Sequence, residues 1–110
     1  MGLLTCQLMA ETLINQRNDL EANIENIYSA KIRLASTINE LVNTGMDLDP
    51  DSAEYKLLEQ RQKKLELIDK QLDQSLKRYQ TLLTAVEQRI ETEDKNLQKN
   101  ISYSFGKGGQ

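Results

Sequence analysis

The chain has 110 residues, of which 38% are hydrophobic and 28% charged, and its formal net charge is −3. This length allows one domain. Lysine and arginine form no cluster, which disfavours nucleic acid as a partner because phosphate binding needs a concentrated basic surface. Histidine is absent and Cys6 is the single cysteine. The sequence therefore excludes an imidazole base, a His-ligated metal and an internal disulfide.

The first predicted element is a helix over residues 3 to 44. Its apolar residues recur in steps of three and four, which places them on one helix face. This inner stripe contains Cys6, Ala10, Leu13, Leu20, Ile24, Ile27, Leu34, Ile38 and Leu41. Arg17 and Lys31 also fall in the stripe, where their stems can lie along it while the charges reach water. Alternatively, Lys31 fixes the helix register by pairing with Asp69.

A turn is predicted over residues 45 to 51. Gly45 suits the left-handed position just after a helix end, with Met46 supplying the accompanying apolar contact. Pro50 suits the first position of the next helix, with Asp49 as its cap. In the alternative, Asp51 is the cap and Glu54 completes a capping box.

The acidic residues of this turn alternate as in a calcium-binding loop. Such a loop needs Gly at its sixth position and a bidentate Glu at its twelfth. Counted from Asp47, those positions hold Ser52 and Leu58. No metal site is predicted.

The second predicted helix runs from about residue 52 to 103. Its inner stripe contains Leu58, Leu65, Ile68, Leu72, Leu76, Tyr79, Leu83, Val86, Ile90, Leu97 and Ile101. Ile68, Leu72 and Leu76 are spaced four and four, which predicts a stutter that locally unwinds a supercoil. Acids lie four residues before bases in three places, which predicts the intrahelical ion pairs Glu59–Lys63, Glu66–Lys70 and Asp73–Lys77.

The short connection predicts an antiparallel two-helix hairpin, an all-α and coiled-coil-like fold. The hairpin is expected as a single domain over residues 1–105, followed by a flexible tail at 106–110. Because a two-helix layer buries only a narrow strip, we expect homo-oligomerisation.

The two ends of the chain are predicted to form an interaction surface. With the turn centred near Leu48, Leu3 lies opposite about residue 93, so the second helix overhangs by ~10 residues or ~15 Å. The exposed apolar residues of both ends mark an interaction site, and they are Leu3, Leu4, Leu8, Met9, Leu97, Ile101, Tyr103 and Phe105. Alternatively, Tyr103 and Phe105 fold back onto Leu3 and Leu4.

No enzyme is predicted, and no catalytic, cofactor-binding or metal-binding residue is assigned. Ser29, Ser36 and Ser75 lie within helices without a strained turn. A two-helix hairpin is also expected to lack a pocket of the usual ~300–1,000 Å³. No apolar run is long enough to span a membrane, and the start lacks the features of a signal peptide. The expected location is the cytoplasm, or outside the cell by a leaderless route.

Two resemblances follow from particular segments and from the layout. The run Asp49-Pro-Asp-Ser-Ala-Glu-Tyr-Lys56 resembles a group of short uncharacterised bacterial helical proteins, as do Lys70-Gln-Leu-Asp73 and Lys77-Arg-Tyr-Gln-Thr81. The start, Met1-Gly-Leu-Leu-Thr-Cys-Gln7, is also similar to theirs. That group implies no function. In layout alone, the hairpin with apolar ends is similar to type III secretion needle and filament subunits, which implies assembly through terminal helices.

These observations lead to two functional hypotheses. The first is a structural subunit that self-associates through its terminal helices, as a filament or secretion-associated assembly. The alternative is an adaptor or chaperone that holds the amphipathic helix of another protein.

Overall fold

The computed structural model describes the backbone of residues 2–108 and the side chains of residues 2–102. Helix α1 is Leu3–Met46 and helix α2 is Ala53–Gly108, and the described backbone contains no strand. The predicted all-α hairpin is confirmed. Its contacts form two compact units. The terminal unit is Met1–Asn23 with Tyr79–Gln110, and the turn unit is Ile24–Arg78.

The inner stripe predicted for α1 is confirmed. Cys6 is 0% exposed, Leu13 2% and Ile27 8%, and the other predicted members are half-buried. Half-buried Arg17 and Lys31 continue the same three-and-four spacing. An unbroken spacing of this kind is the heptad pattern of helices that pack along their length.

The inner stripe of α2 differs from the prediction at Ile68. That residue is 43% exposed, and Asp69 is half-buried in its place. The spacing from Leu65 through Asp69 to Leu72 is therefore four and three, and the four-and-four spacing behind the predicted stutter is absent there. The apolar-only pattern was misleading because the heptad position facing Lys31 holds an acid.

The left-handed conformation predicted for Gly45 is wrong. No described residue has a positive φ angle, and α1 continues through Met46, whose side chain is 75% exposed. The chain leaves α1 through hydrogen bonds that join each N–H to the carbonyl three residues earlier. The N–H of Asp47 donates to the Thr44 carbonyl at 3.3 Å, and the N–H of Leu48 donates to the Gly45 carbonyl at 3.2 Å. Such bonds satisfy helix-end carbonyls without a left-handed residue.

Both predicted caps of α2 are wrong, because Ser52 is the cap. Its Oγ accepts a hydrogen bond from the Tyr55 N–H at 3.1 Å, and the same hydroxyl donates to the Asp49 carbonyl at 2.6 Å. Asp49 is used within the turn, where its Oδ1 accepts from the Asp51 N–H at 3.1 Å. The aspartate side chain therefore shapes the turn, which leaves Ser52 to satisfy the first amides of α2.

The register differs from the predicted alignment by a turn or more. In the turn unit, Lys31 meets Asp69 at 2.9 Å, whereas the predicted alignment placed Lys31 opposite Leu65. In the terminal unit, Asn100 meets Cys6 at 3.1 Å, whereas the predicted alignment placed Cys6 opposite Ile90. One cause is the turn itself, whose midpoint lies later than Leu48 because α1 extends to Met46 and α2 begins at Ala53. The predicted overhang of about ten residues is therefore wrong.

One of the predicted ion pairs on α2 is replaced among the described side chains. Glu66 accepts a hydrogen bond from Gln62 Nε2 at 3.2 Å rather than pairing with Lys70. Asp73 contacts Lys31 of α1, and its predicted pairing with Lys77 stays a prediction. An intrahelical pair is present further along α2, between Glu91 and Lys95 at 3.3 Å. Exposed pairs of this type contribute little to stability.

Candidate interaction site

The predicted surface residues divide into exposed and half-buried groups. Leu4 is 69% exposed, Leu8 56% and Leu3 38%. Met9, Leu97 and Ile101 are half-buried. The side chains of Tyr103 and Phe105 lie outside the described residues. Their backbone is part of α2, which also includes residues 106–108 of the predicted tail.

Leu4 and Leu8 lie on the outer side of α1. They are one helical turn apart, so they share a face, whereas buried Cys6 and Leu13 occupy the opposite, inner face. A shallow groove of about 220 Å³ runs beside Leu8 and is lined also by Thr5, Met9, Thr12, Leu13, Gln16 and Arg89. The methyl and methylene groups in this groove suit an aliphatic side chain from another molecule.

The inner side of the same helix end is closed by Cys6 and Asn100. The Asn100 amide Nδ2 donates to the Cys6 sulfur at 3.1 Å, and the thiol is 0% exposed. A thiol without solvent contact is shielded from reagents. The role of this pair is structural: it holds the start of α1 against the late part of α2 and so fixes the position from which Leu4 and Leu8 project.

A larger groove in the terminal unit contradicts the expectation that the hairpin has no pocket of ~300–1,000 Å³. It encloses about 450 Å³ and is lined by Ala10, Ile14, Arg17, Glu21, Glu87, Ile90, Glu91 and Asp94. Arg17 Nε lies 4.0 Å from Glu21 Oε1, and this nitrogen is buried without a hydrogen-bond partner. With four carboxylates and one guanidinium, the groove has a net negative lining.

The turn unit contains the charged contact that the sequence suggested. Lys31 Nζ donates to Asp69 Oδ1 at 2.9 Å and also contacts Asp73, so the predicted pairing with Asp69 is confirmed. Hydrogen bonds to Asp73 and then to Asp69 raise the pKa of Lys31 above its ordinary value of 10.5. A single polar contact in an apolar stripe disfavours other registers, because a shift would leave charges unpaired.

Clusters of metal-ligating side chains and membrane-spanning windows are both missing from the described residues. In that part of the chain, no three side chains of histidine, cysteine, aspartate or glutamate come together as a metal site. Neither helix, over the same residues, has a window long and apolar enough to cross a membrane. The predictions of no metal and no cofactor stay predictions.

Comparisons with known proteins add no relative. No family model, no curated protein and no solved structure matches the chain. The resemblances to short bacterial helical proteins and to needle subunits therefore stay predictions, and any functional argument must rest on the geometry of this chain.

Two features of the terminal unit escaped the sequence analysis. The Cys6–Asn100 contact depends on a register that the turn sets, so no local signal announces it. The sequence does contain an indication of the acid-lined groove. Glu87, Glu91 and Asp94 follow one another at steps of four and three residues and thus share a helix face. Which side chains lie opposite that face depends again on the register.

Proposed function

We propose that this protein is a structural subunit that self-associates through its terminal unit. The observation that carries the proposal is the outward projection of Leu4 and Leu8, which are 69% and 56% exposed. These leucines share a helix face that no described part of the chain covers. Exposed apolar groups gathered at one place mark interaction sites, whereas isolated ones need no explanation.

The position of these leucines supports assembly through helix ends. The Cys6–Asn100 contact holds the start of α1 in place, so the exposed face is built on an ordered helix. Half-buried Leu97 and Ile101 belong to the inner stripe of α2 in the same unit, so the exposed apolar face proposed for assembly is that of Leu4 and Leu8. A subunit of this kind would form a filament or a secretion-associated assembly, in the cytoplasm or after leaderless export.

The test is to place charges on this face without disturbing the inner stripe. The variant Leu4→Glu/Leu8→Glu should stay helical by circular dichroism because both side chains are exposed. We expect the mass measured by light scattering to grow with concentration for the native chain and to stay constant for the variant. Electron microscopy distinguishes filaments from discrete oligomers.

The matched control is Leu57→Glu, which changes an exposed leucine of the turn unit, 59% exposed. This variant should assemble as the native chain does. A second variant, truncated after Ser102, keeps the Cys6–Asn100 contact. It tests whether the residues after Ser102 contribute to self-association. If the native chain and Leu4→Glu/Leu8→Glu show the same mass at all concentrations, the proposal is wrong.

A second candidate is an adaptor that binds an amphipathic helix of another protein. The groove of about 220 Å³ beside Leu8 favours it, because one aliphatic side chain of a partner helix fits such a volume. Recognition by a groove of this kind is a common mode for helical ligands. A constant monomeric mass for the native chain, with a discrete complex formed by one heterologous helix, would favour the adaptor.

A further inference from the structure

The terminal unit contains two buried atoms of opposite charge that lack a hydrogen-bond partner. Among the described side chains these atoms are Arg17 Nε and Glu93 Oε2, and both residues belong to this unit. Glu93 is 9% exposed. Arg17 Nε lies 4.0 Å from Glu21 Oε1, which is beyond hydrogen-bonding distance. Because a buried charge without a partner destabilises a fold, each of the two residues is a candidate partner for the other.

The observed register of the terminal unit places Glu93 against an apolar side chain. The Asn100 amide meets the Cys6 thiol at 3.1 Å, and this contact aligns the two helices. One heptad along each helix from the contact, Leu13 lies opposite Glu93. Both residues are buried, at 2% and 9% exposure. The carboxylate therefore faces a leucine instead of a base.

The base lies one helical turn away from the position opposite Glu93. In the same alignment, Arg17 of α1 lies opposite Arg89 of α2, a residue of like charge. Glu93 follows Arg89 by four residues, which is about one turn of a helix. A slide of α1 along α2 by one turn, toward the open end of the hairpin, therefore brings Arg17 opposite Glu93.

The same slide also keeps the apolar contacts of the inner stripes. Helices with a heptad pattern offer their inner faces to each other again after each shift by one turn. In the shifted register Leu13 lies opposite Leu97, and Met9 lies opposite Ile101. Apolar side chains then meet apolar side chains, and the acid meets the base. The contact that is lost is the one between the thiol and the amide.

The chain has a physical means of accommodating the slide within α1. The bonds of Lys31 to Asp69 and Asp73 hold the turn unit in its own register, so the change is confined to the terminal unit. An extended residue spans about 3.3 Å, whereas a helical residue rises about 1.5 Å. Unwinding about four residues where α1 leaves the terminal unit gains about 7 Å, which covers one turn of about 5.4 Å. The loss of this turn opposes the gain of the ion pair.

We propose that the terminal unit has two registers one helical turn apart, and that Arg17 and Glu93 form an ion pair only in the second. One-turn movements of one packed element past another are an established form of conformational switch. This switch moves Leu4 and Leu8 by about 5.4 Å along α2, so it presents the proposed assembly surface in two positions. The inference does not rest on self-association, because the switch acts within one chain.

Distances between two spin labels measure the register in the full chain. The labels are attached to ketone-bearing residues introduced at the exposed positions Ala22 and Gln98, which leaves Cys6 native. Dilution of the labelled chain with unlabelled chain keeps each measured distance within one molecule. The two positions are offset along the axis of the terminal unit, so the slide brings them closer. We expect a second distance that is shorter by about 4 Å.

Three variants separate the two registers. Asn100→Ala removes a contact that only the first register makes, so the shorter distance should become more populated. Glu93→Leu replaces the buried acid by an aliphatic side chain that suits Leu13, so the shorter distance should be lost. Arg17→Glu places two acids opposite each other in the second register and should also remove the shorter distance.

The matched control is Asp19→Gln, which removes a charge from the exposed side of α1 two residues from Arg17. This variant should leave the distribution of distances unchanged. Circular dichroism checks that all four variants remain helical, so that a lost distance reports the register and not unfolding.

Two results would each overturn the proposal. The first is a single distance in Asn100→Ala that equals the longer distance of the native chain. The second is a shorter distance that persists in Glu93→Leu or in Arg17→Glu. The outcome is independent of the assembly test. If Asn100→Ala lacks the shorter distance while Leu4→Glu/Leu8→Glu abolishes self-association, the second register is wrong and the assembly proposal holds. A shorter distance in a chain that never self-associates gives the reverse.

Discussion

Gly45 is a helical glycine with space for a methyl group. It has no positive φ angle, and a Cβ built at this position would lie 3.7 Å from Tyr55 Cε2, an ordinary packing distance. Glycine within a helix costs conformational entropy that alanine does not.

We therefore expect Gly45→Ala to stabilise the fold by about 0.5–1 kcal/mol. Urea unfolding followed by circular dichroism measures the change. Gly2→Ala is the control, because Gly2 precedes α1 and has no atom within 4 Å of a built Cβ. A destabilised Gly45→Ala would show that Tyr55 cannot accept the methyl group.

Lys31 makes the free energy of unfolding depend on pH in the alkaline range. Its hydrogen bonds to Asp73 and Asp69 raise the pKa of Lys31 in the folded chain. A raised pKa means that the folded state binds the proton more tightly than the unfolded state does. The contribution is fully present below the ordinary pKa of 10.5 and is lost as pH rises through the folded pKa.

The expected result is a melting-temperature difference between the native chain and Lys31→Gln that is present at neutral pH and narrows above pH 10.5. Thermal melts across this range provide the measurement. A difference that is constant to the highest pH would mean that the ammonium charge is not what Asp69 and Asp73 stabilise.

At the scale of an element, the beginning of α2 depends on one hydroxyl. Ser52 Oγ accepts from the Tyr55 N–H and donates to the Asp49 carbonyl. Removing it leaves an N-terminal amide of α2 without its partner.

Ser52→Ala should cost about 1 kcal/mol of unfolding free energy, measured by urea titration. Ser52→Asp keeps an acceptor for the Tyr55 amide and should recover most of the loss. Equal losses in both variants would indicate that the bond to Asp49, which aspartate cannot donate, is the more important one.

The packing of α1 in the terminal unit depends on a small number of buried side chains. Leu13 is 2% exposed, so its truncation leaves a cavity that a two-helix layer cannot easily fill. We expect Leu13→Ala to destabilise the protein by about 2–5 kcal/mol. Leu57→Ala, at 59% exposure, should change stability by no more than about 0.5 kcal/mol. Denaturant unfolding of both variants at low concentration tests this directly.

At the scale of the whole molecule, stability and assembly are coupled. Among the described residues the buried apolar side chains are Cys6, Leu13 and Ile27, a small core for the surface that the chain exposes. Burial of Leu4 and Leu8 in contacts between copies would add to it. Binding that favours the folded state raises the melting temperature with concentration.

We therefore expect the melting temperature of the native chain to rise with protein concentration. The variant Leu4→Glu/Leu8→Glu should melt at one temperature throughout. Scanning calorimetry at low and high concentration makes the comparison, with Leu57→Glu as the control. A native melting temperature that does not change with concentration would show that association does not stabilise the folded chain.

The sequence by itself determined the helical hairpin and the inner stripe of α1. The spacing of Leu13, Leu20 and Ile27 admits no other regular structure, and the turn residues leave no room for a third element. The pairing of Lys31 with Asp69 was also predictable, because a charge within an apolar stripe requires an opposite charge across it.

Only the tertiary structure decided the register, the cap of α2 and the partner of Cys6. The heptad repeat offers similar apolar contacts each time one helix shifts by a turn, so periodicity does not select among alignments. That selection came from the Ser52 and Asp49 hydrogen bonds in the turn and from the position of Lys31. Ile68 was misassigned for a different reason: the four-and-three spacing of α2 places Asp69 inward, and counting only apolar residues passed over it.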